Sequence, residues 1–181
     1  SCEKLWSTFR YDGYGIGSLY RWAKEDSPET YSQFILDELD DLLKNSLDSA
    51  SYSIARVFYE FNKYQYVCAS IKHKLWYEFI NHRWHKVDEA NSIIHKLNTE
   101  LANSYIQLSL AYTQKAYHTP NDAQKTELIN KGKIAGTISN RLRTINFKKN
   151  IIEELLHLYY YPQFVNKLDE NKYLIAFNNG I

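Results

Sequence analysis

The spacing of apolar positions changes along the chain, and each change predicts an element. Tyr31, Phe34, Ile35, Leu39, Leu42 and Leu43 recur at helical spacing after Ser27-Pro28, a cap residue followed by a proline suited to the first helical position. Ser53 to Lys63 predicts a second helix, with Ile54, Val57, Phe58 and Phe61 on one side. The period then falls to two. Tyr66 to Ala69, Leu75 to Ile80 and Trp84 to Val87 are rich in aromatic and β-branched residues, and Asn81-His82 supplies a turn. A small antiparallel sheet of two or three strands follows from this pattern. Beyond Asp88, Ile94, Leu97, Leu101, Tyr105, Leu108 and Tyr112 step by three or four, which predicts one helix from about Glu89 to Tyr117. Thr119-Pro120-Asn121-Asp122 breaks it and offers the next cap. Leu128, Ile129, Ala135, Ile138, Leu142 and Ile145 mark a further helix, and Ile151, Ile152, Leu155, Leu156 and Leu158 another, ended by Pro162. The fold class expected is mainly α (α+β), a helical domain with a small antiparallel sheet and long antiparallel helices.

Composition narrows the class. The 181 residues are 44% apolar and 24% charged, as in an ordinary globular domain with a sizeable core. No apolar run is long enough for a membrane span, and Ser1-Cys2-Glu3-Lys4 does not open a signal peptide. Two cysteines, Cys2 and Cys68, make no disulfide framework, so a reducing, intracellular setting is expected. The complete lack of Met predicts an internal piece of a longer polypeptide. Net charge is only +1, yet residues 1–50 carry 5 basic and 10 acidic side chains and residues 51–181 carry 17 and 11. That asymmetry suggests an acidic helical segment, 1–48, and a second domain, 49–181.

Several constellations imitate chemistry. Gly13, Gly15 and Gly17 lack the G-x-G-x-x-G spacing of a dinucleotide loop and suit a tight turn. Asp37, Glu38, Asp40 and Asp41 suit a solvated helix face. His73, His82 and His85 have no cysteines at finger-like spacing, so a zinc site is not expected. Gly132-Lys133-Ile134-Ala135-Gly136-Thr137 lacks the Lys after its second Gly that a phosphate loop requires. Trp76, Tyr77 and Trp84 could stack bases, although such rings more often form the packed face of a sheet. The basic stretch is more suggestive. Between Lys115 and Asn150 there are 8 Lys or Arg against 2 acids, and Lys131, Lys133, Arg141, Arg143, Lys148 and Lys149 are expected on the solvent side of the apolar stripe. A basic helical surface is the footprint of phosphate-backbone binding.

Three ordered stretches carry a resemblance. Gly15-Ile16-Gly17-Ser18-Leu19-Tyr20-Arg21-Trp22-Ala23 through Pro28 resembles the segment closing the primase-associated region of viral primase–helicases. Leu75-Trp76-Tyr77-Glu78-Phe79-Ile80-Asn81-His82-Arg83-Trp84 resembles the W-Y-E-F-x-x-H-R-W hairpin of the domain preceding their superfamily 3 helicase. Tyr173 to Ile181, with Asn179 and Gly180, resembles the L-x-A-F-x-N-G-V motif at that domain's end. The family is the replicative primase–helicase of poxviruses and giant viruses. The resemblance implies a parent polypeptide that makes primers and unwinds DNA with ATP and Mg, in an infected cell's cytoplasm. No primase carboxylate motif and no nucleotide-binding loop is found here, so no catalytic residue, metal or cofactor is expected in this stretch. What it implies is a non-catalytic connector beside the helicase motor, with DNA, the flanking primase and helicase domains, and a homo-oligomeric ring as partners and no membrane. The alternative is a structural collar of that ring without DNA contact.

Overall fold

The computed structural model describes residues 26–27, 41–81 and 83–168. Contacts divide the chain into two units, Ser1–Glu38 and Leu39–Ile181. The expected glycine turn and the helix through Tyr31 to Leu39 lie outside the described residues.

Helical residues 41–45 run into a 3-10 turn, Ser46–Asp48. Leu43 and Ser46 are buried, so this segment belongs to the second unit's core. Asp48 then organises the next helix start, accepting the Ala50 N–H at 3.0 Å and the Ser53 hydroxyl at 2.7 Å. Helix α1, Ser51–Asn62, buries Ile54, Ala55, Val57 and Phe58 and leaves Tyr52 and Arg56 outside, as its apolar spacing requires.

Strands β1 (Tyr66–Ser70), β2 (Leu75–Ile80) and β3 (Arg83–Val87) form an antiparallel sheet in that order. Cross-strand partners Tyr66/Glu78/His85 and Cys68/Trp76/Val87 share one face, while Val67/Tyr77/Lys86 and Phe79/Trp84 share the other. The first face holds the core side chains Tyr66, Cys68 and Trp76. Beside β1, the returning chain adds a parallel bridge, in which the Cys68 N–H donates to the Tyr159 carbonyl and the Tyr161 N–H donates to the Cys68 carbonyl, each at 2.9 Å. The other edge, β3, presents exposed Arg83 and Lys86, charges that discourage further strand pairing.

The predicted unbroken helix from Glu89 is corrected in two places. Glu89 and Ala90 adopt left-handed φ angles of 47° and 58°, so the helix starts at Asn91. It then runs as α2 (Asn91–Lys96), a π-turn (Leu97–Leu101) and α3 (Ala102–Tyr117). Asn121 caps α4, Asp122–Leu142, its side-chain oxygen accepting the Ala123 and Gln124 N–H groups at 3.0 and 3.1 Å. Helices α3 and α4 pack as the expected antiparallel pair, with α5, Ile145–Leu158, against α1. A short helix, α6, Phe164–Lys167, follows. Ile145 is a second correction, because it is 68% exposed rather than inward. The bend at Arg143 and Thr144 starts a new helical phase, in which Phe147 and Ile151 take the inner positions.

Gly132 and Gly136, which superficially resemble a phosphate loop, instead let α3 approach. A side chain at Gly132 would meet the Ser109 carbonyl oxygen at 3.3 Å. The Ser109 hydroxyl donates to the Gly132 carbonyl at 2.7 Å, and the Ser139 hydroxyl to the Ala102 carbonyl at 2.8 Å. Two serines on opposite helices therefore bond across the seam where small residues bring the backbones together.

Candidate nucleic-acid interface

Four of the six predicted basic residues stand in solvent. Lys133 and Arg141 are exposed on α4, Arg143 in the bend after it, and Lys149 in the first turns of α5. The Arg141 guanidinium lies 3.9 Å from the Phe147 ring centroid, a cation–π contact that joins the end of α4 to the start of α5. Lys131 is engaged locally. It bonds Glu127 one turn earlier at 2.6 Å, a hydrogen bond that lowers the Glu127 carboxyl pKa and raises that of the Lys131 ammonium.

Lys148 corrects the expectation of a solvent position. It is buried, and its ammonium donates to the Asn98 side-chain oxygen at 2.7 Å. The start of α5 turns this position toward the π-turn, where Asn98 resides, so Lys148 fastens two helices together. The exposed cations also do not form one stripe. At about 100° per residue, Lys133 points nearly opposite Ala135 on α4, whereas Arg141 and Arg143 flank it on either side. Their nearest common ground is the α4–α5 corner.

The hairpin residues separate by face. Trp76 is fully buried in the core, which removes it from any stacking role. Tyr77 and Trp84, half-buried, lie on the outer face against Phe164, with centroids at 5.1 and 4.9 Å. Arg83 is exposed at the start of β3. His82, Asn179 and Gly180 lie outside the described residues.

Sequence reasoning passed over Glu78, the acid of the same hairpin. It is buried, and one of its carboxylate oxygens accepts the Gln65 amide at 3.0 Å and the Tyr66 hydroxyl at 2.9 Å. The oxygen of the Gln65 amide in turn accepts from Lys96 at 2.8 Å, and Lys96 also donates to Asn62 at 2.9 Å. Gln65 thus bridges a buried acid and a cation. The signal was available as a lone Glu inside an aromatic strand, alternating with Trp76.

Among the described residues no group of three or more His, Cys, Asp or Glu could hold a metal, and no helix is long and apolar enough to cross a membrane. The chain is 33% identical over 183 residues to the protein of Acanthamoeba polyphaga mimivirus named "Putative helicase L207/L206", and 19% identical over 210 residues to "Putative helicase 022R" of Frog virus 3 (isolate Goorha). Each alignment takes in 99% of this chain but only 19% and 21% of the relatives, so the chain spans about a fifth of their length. Residues 55–181 match the family described as D5 N terminal like. With the sheet, the W-Y-E-F hairpin and the helical pair in place, the chain belongs to that family, a domain found in the primase–helicase proteins of poxviruses and giant viruses.

Proposed function

We propose that this chain is a non-catalytic connector in a viral replicative primase–helicase, and that it contacts DNA phosphates at the α4–α5 corner through Arg141, Arg143 and Lys149, with Lys133 further along α4. One observation carries the reading. Residues 128–152 contain six Lys or Arg and no Asp or Glu, and the four cations named stand in solvent. Such contacts read charge rather than sequence, and they release counterions from the DNA. ATP, Mg and the groups that use them would be supplied by the motor elsewhere in the polypeptide, and the setting would be the cytoplasm of the infected cell. A second reading, a collar between subunits of the helicase ring, draws support from exposed Leu110 on α3 and exposed Ile134 on α4.

The test replaces Arg141, Arg143 and Lys149 with Gln together and follows labelled DNA by fluorescence anisotropy at several salt concentrations. Lys148 is left intact because its loss would disturb the fold. Each phosphate contact removed should reduce the log–log salt slope by about 1. An unchanged slope and affinity in a folded variant would favour the collar.

A further inference from the structure

The corner between α4 and α5 holds a contact that a mere patch of surface cations would not need. Arg141 stands in the last turn of α4 and Phe147 in the first turn of α5, and the guanidinium carbon lies 3.9 Å from the centre of the Phe147 ring. On one continuous helix, residues at this sequence separation would stand about 120° apart around the axis and about 9 Å apart along it. The bend is what brings them together. It is held by the Thr144 hydroxyl and N–H, which donate to the Arg141 carbonyl at 2.7 and 2.9 Å, and by the Arg143 N–H, which donates to the Asn140 carbonyl at 3.2 Å.

The distance also fixes how the two groups meet. An N–H pointed into the ring would put its nitrogen in contact and the guanidinium carbon about 1.3 Å further out, at roughly 4.5 Å or more. At 3.9 Å the guanidinium lies along the ring face instead, with its N–H edges directed sideways. Phe147 is buried in the core, so the surface on which the guanidinium rests is itself fixed. An Arg stem can cover apolar surface without this arrangement. A guanidinium held flat is a fork of fixed direction, the geometry that takes two phosphate oxygens at once. Among the described residues neither Arg143 nor Lys149 meets a ring, so neither is oriented in this way.

We propose that Phe147 is a positioning residue for Arg141, and that this stacked pair grips a phosphate by geometry while Arg143 and Lys149 attract it by charge alone. The inference rests on the reading of the corner as a DNA-phosphate contact and deepens it by separating the residue that orients from those that only attract.

The test uses the full chain with fluorescein-labelled single-stranded and duplex DNA, followed by anisotropy at several salt concentrations. Arg141→Lys keeps the charge and loses the flat fork. It should weaken binding about three- to tenfold, several times more than Arg143→Lys does, and leave the log–log salt slope unchanged because no charge is removed. Phe147→Leu keeps an apolar core side chain and every cation, and it should weaken binding in the same way at the same slope. The two exchanges together should cost no more than either alone, since each dissolves the same pair. If Phe147→Leu does not fold, the comparison of Arg141→Lys with Arg143→Lys decides alone, both being changes at exposed positions. Equal losses from those two exchanges, or losses that add in the double variant, would overturn the positioning role, and the corner would stand as long as Gln at Arg141, Arg143 and Lys149 together weakens binding. Unchanged binding in that triple variant would overturn the corner and this inference with it.

Discussion

Glu78 shows how much one buried acid can organise. Its partners come from the start of β1 and, through Gln65, from α1 and α2, so the network joins the sheet to two helices. Its membership of the W-Y-E-F hairpin was legible in the sequence, but its role was not, because which face of a strand becomes the core depends on the register of the neighbours. The tyrosines nearby make a test. Tyr66→Phe removes a donor from a buried carboxylate and should cost about 1–3 kcal/mol, whereas the Tyr159 hydroxyl is buried without a partner among the described residues, so Tyr159→Phe should be neutral or stabilising in urea denaturation. Alkaline stability follows from the same burial, which raises the phenol pKa of Tyr66, Tyr105 and Tyr159 above the ordinary value of 10.0. A folded pKa above the unfolded one means this contribution is complete below about pH 10 and is lost as pH rises beyond it. Phenolate absorbance of these three should therefore appear together with loss of the helical circular dichroism signal. Ionisation of all tyrosines before any unfolding would contradict the packing described.

Helices α3 and α4 place a different demand on sequence. The break at Thr119 to Asp122 was readable because Pro and a capping Asn are local signals, and Asn121 caps as expected. The π-turn was not readable. Ile93, Leu97, Leu101 and Tyr105 are all buried at steps of four, and each such step overshoots a full α-helical turn by about 40°. A wider turn at Leu97–Leu101 takes back part of that drift and keeps all four facing the core, a correction that only the assembled core can impose. The two glycines of α4 then separate propensity from packing. At Gly136 a new methyl would find its nearest neighbour, the Ser109 hydroxyl, at an ordinary 3.5 Å, so Gly136→Ala should gain about 0.5–1 kcal/mol from helix propensity. At Gly132 the methyl meets a backbone carbonyl at 3.3 Å, and α3 would have to shift. Gly132→Ala should therefore be clearly less stable than Gly136→Ala in parallel urea titrations; equal gains would mean the α3–α4 seam is looser than these distances imply.

At the scale of the whole molecule, the hydrophobic pattern carried the fold class and most elements, since helix and strand periods are local properties of the chain. The charge pattern carried less. It suggested a basic surface, but burial of Lys148 depends on which helix lies alongside, and that is settled only by packing, whereas the ion pair of Lys131 with Glu127 is an i,i+4 contact within α4. The change of charge near residue 50 likewise does not coincide with the limit of the second unit, because the side chains before it are not all surface ones. Leu43 is buried, and the buried Ser46 hydroxyl bonds the Leu43 carbonyl at 2.7 Å and the Tyr105 hydroxyl on α3. Asp48 adds the hydrogen bonds at the start of α1. Two truncations weigh these links. Removal of residues 1–38 leaves all of them in place, and residues 39–181 should keep a cooperative urea transition close to that of the same unit in the full chain. Removal of residues 1–48 strips the Leu43 side chain, the partner of Tyr105 and the Asp48 hydrogen bonds at once. Deleting a buried leucine alone costs about 2–5 kcal/mol, so this shorter piece should be destabilised by at least about 2 kcal/mol. That is a large share of a typical domain's stability of about 5–15 kcal/mol. Equal urea midpoints for the two truncations would mean that the segment 41–48 contributes no more than a tether, and that the Ser46–Tyr105 contact is dispensable to the core it touches.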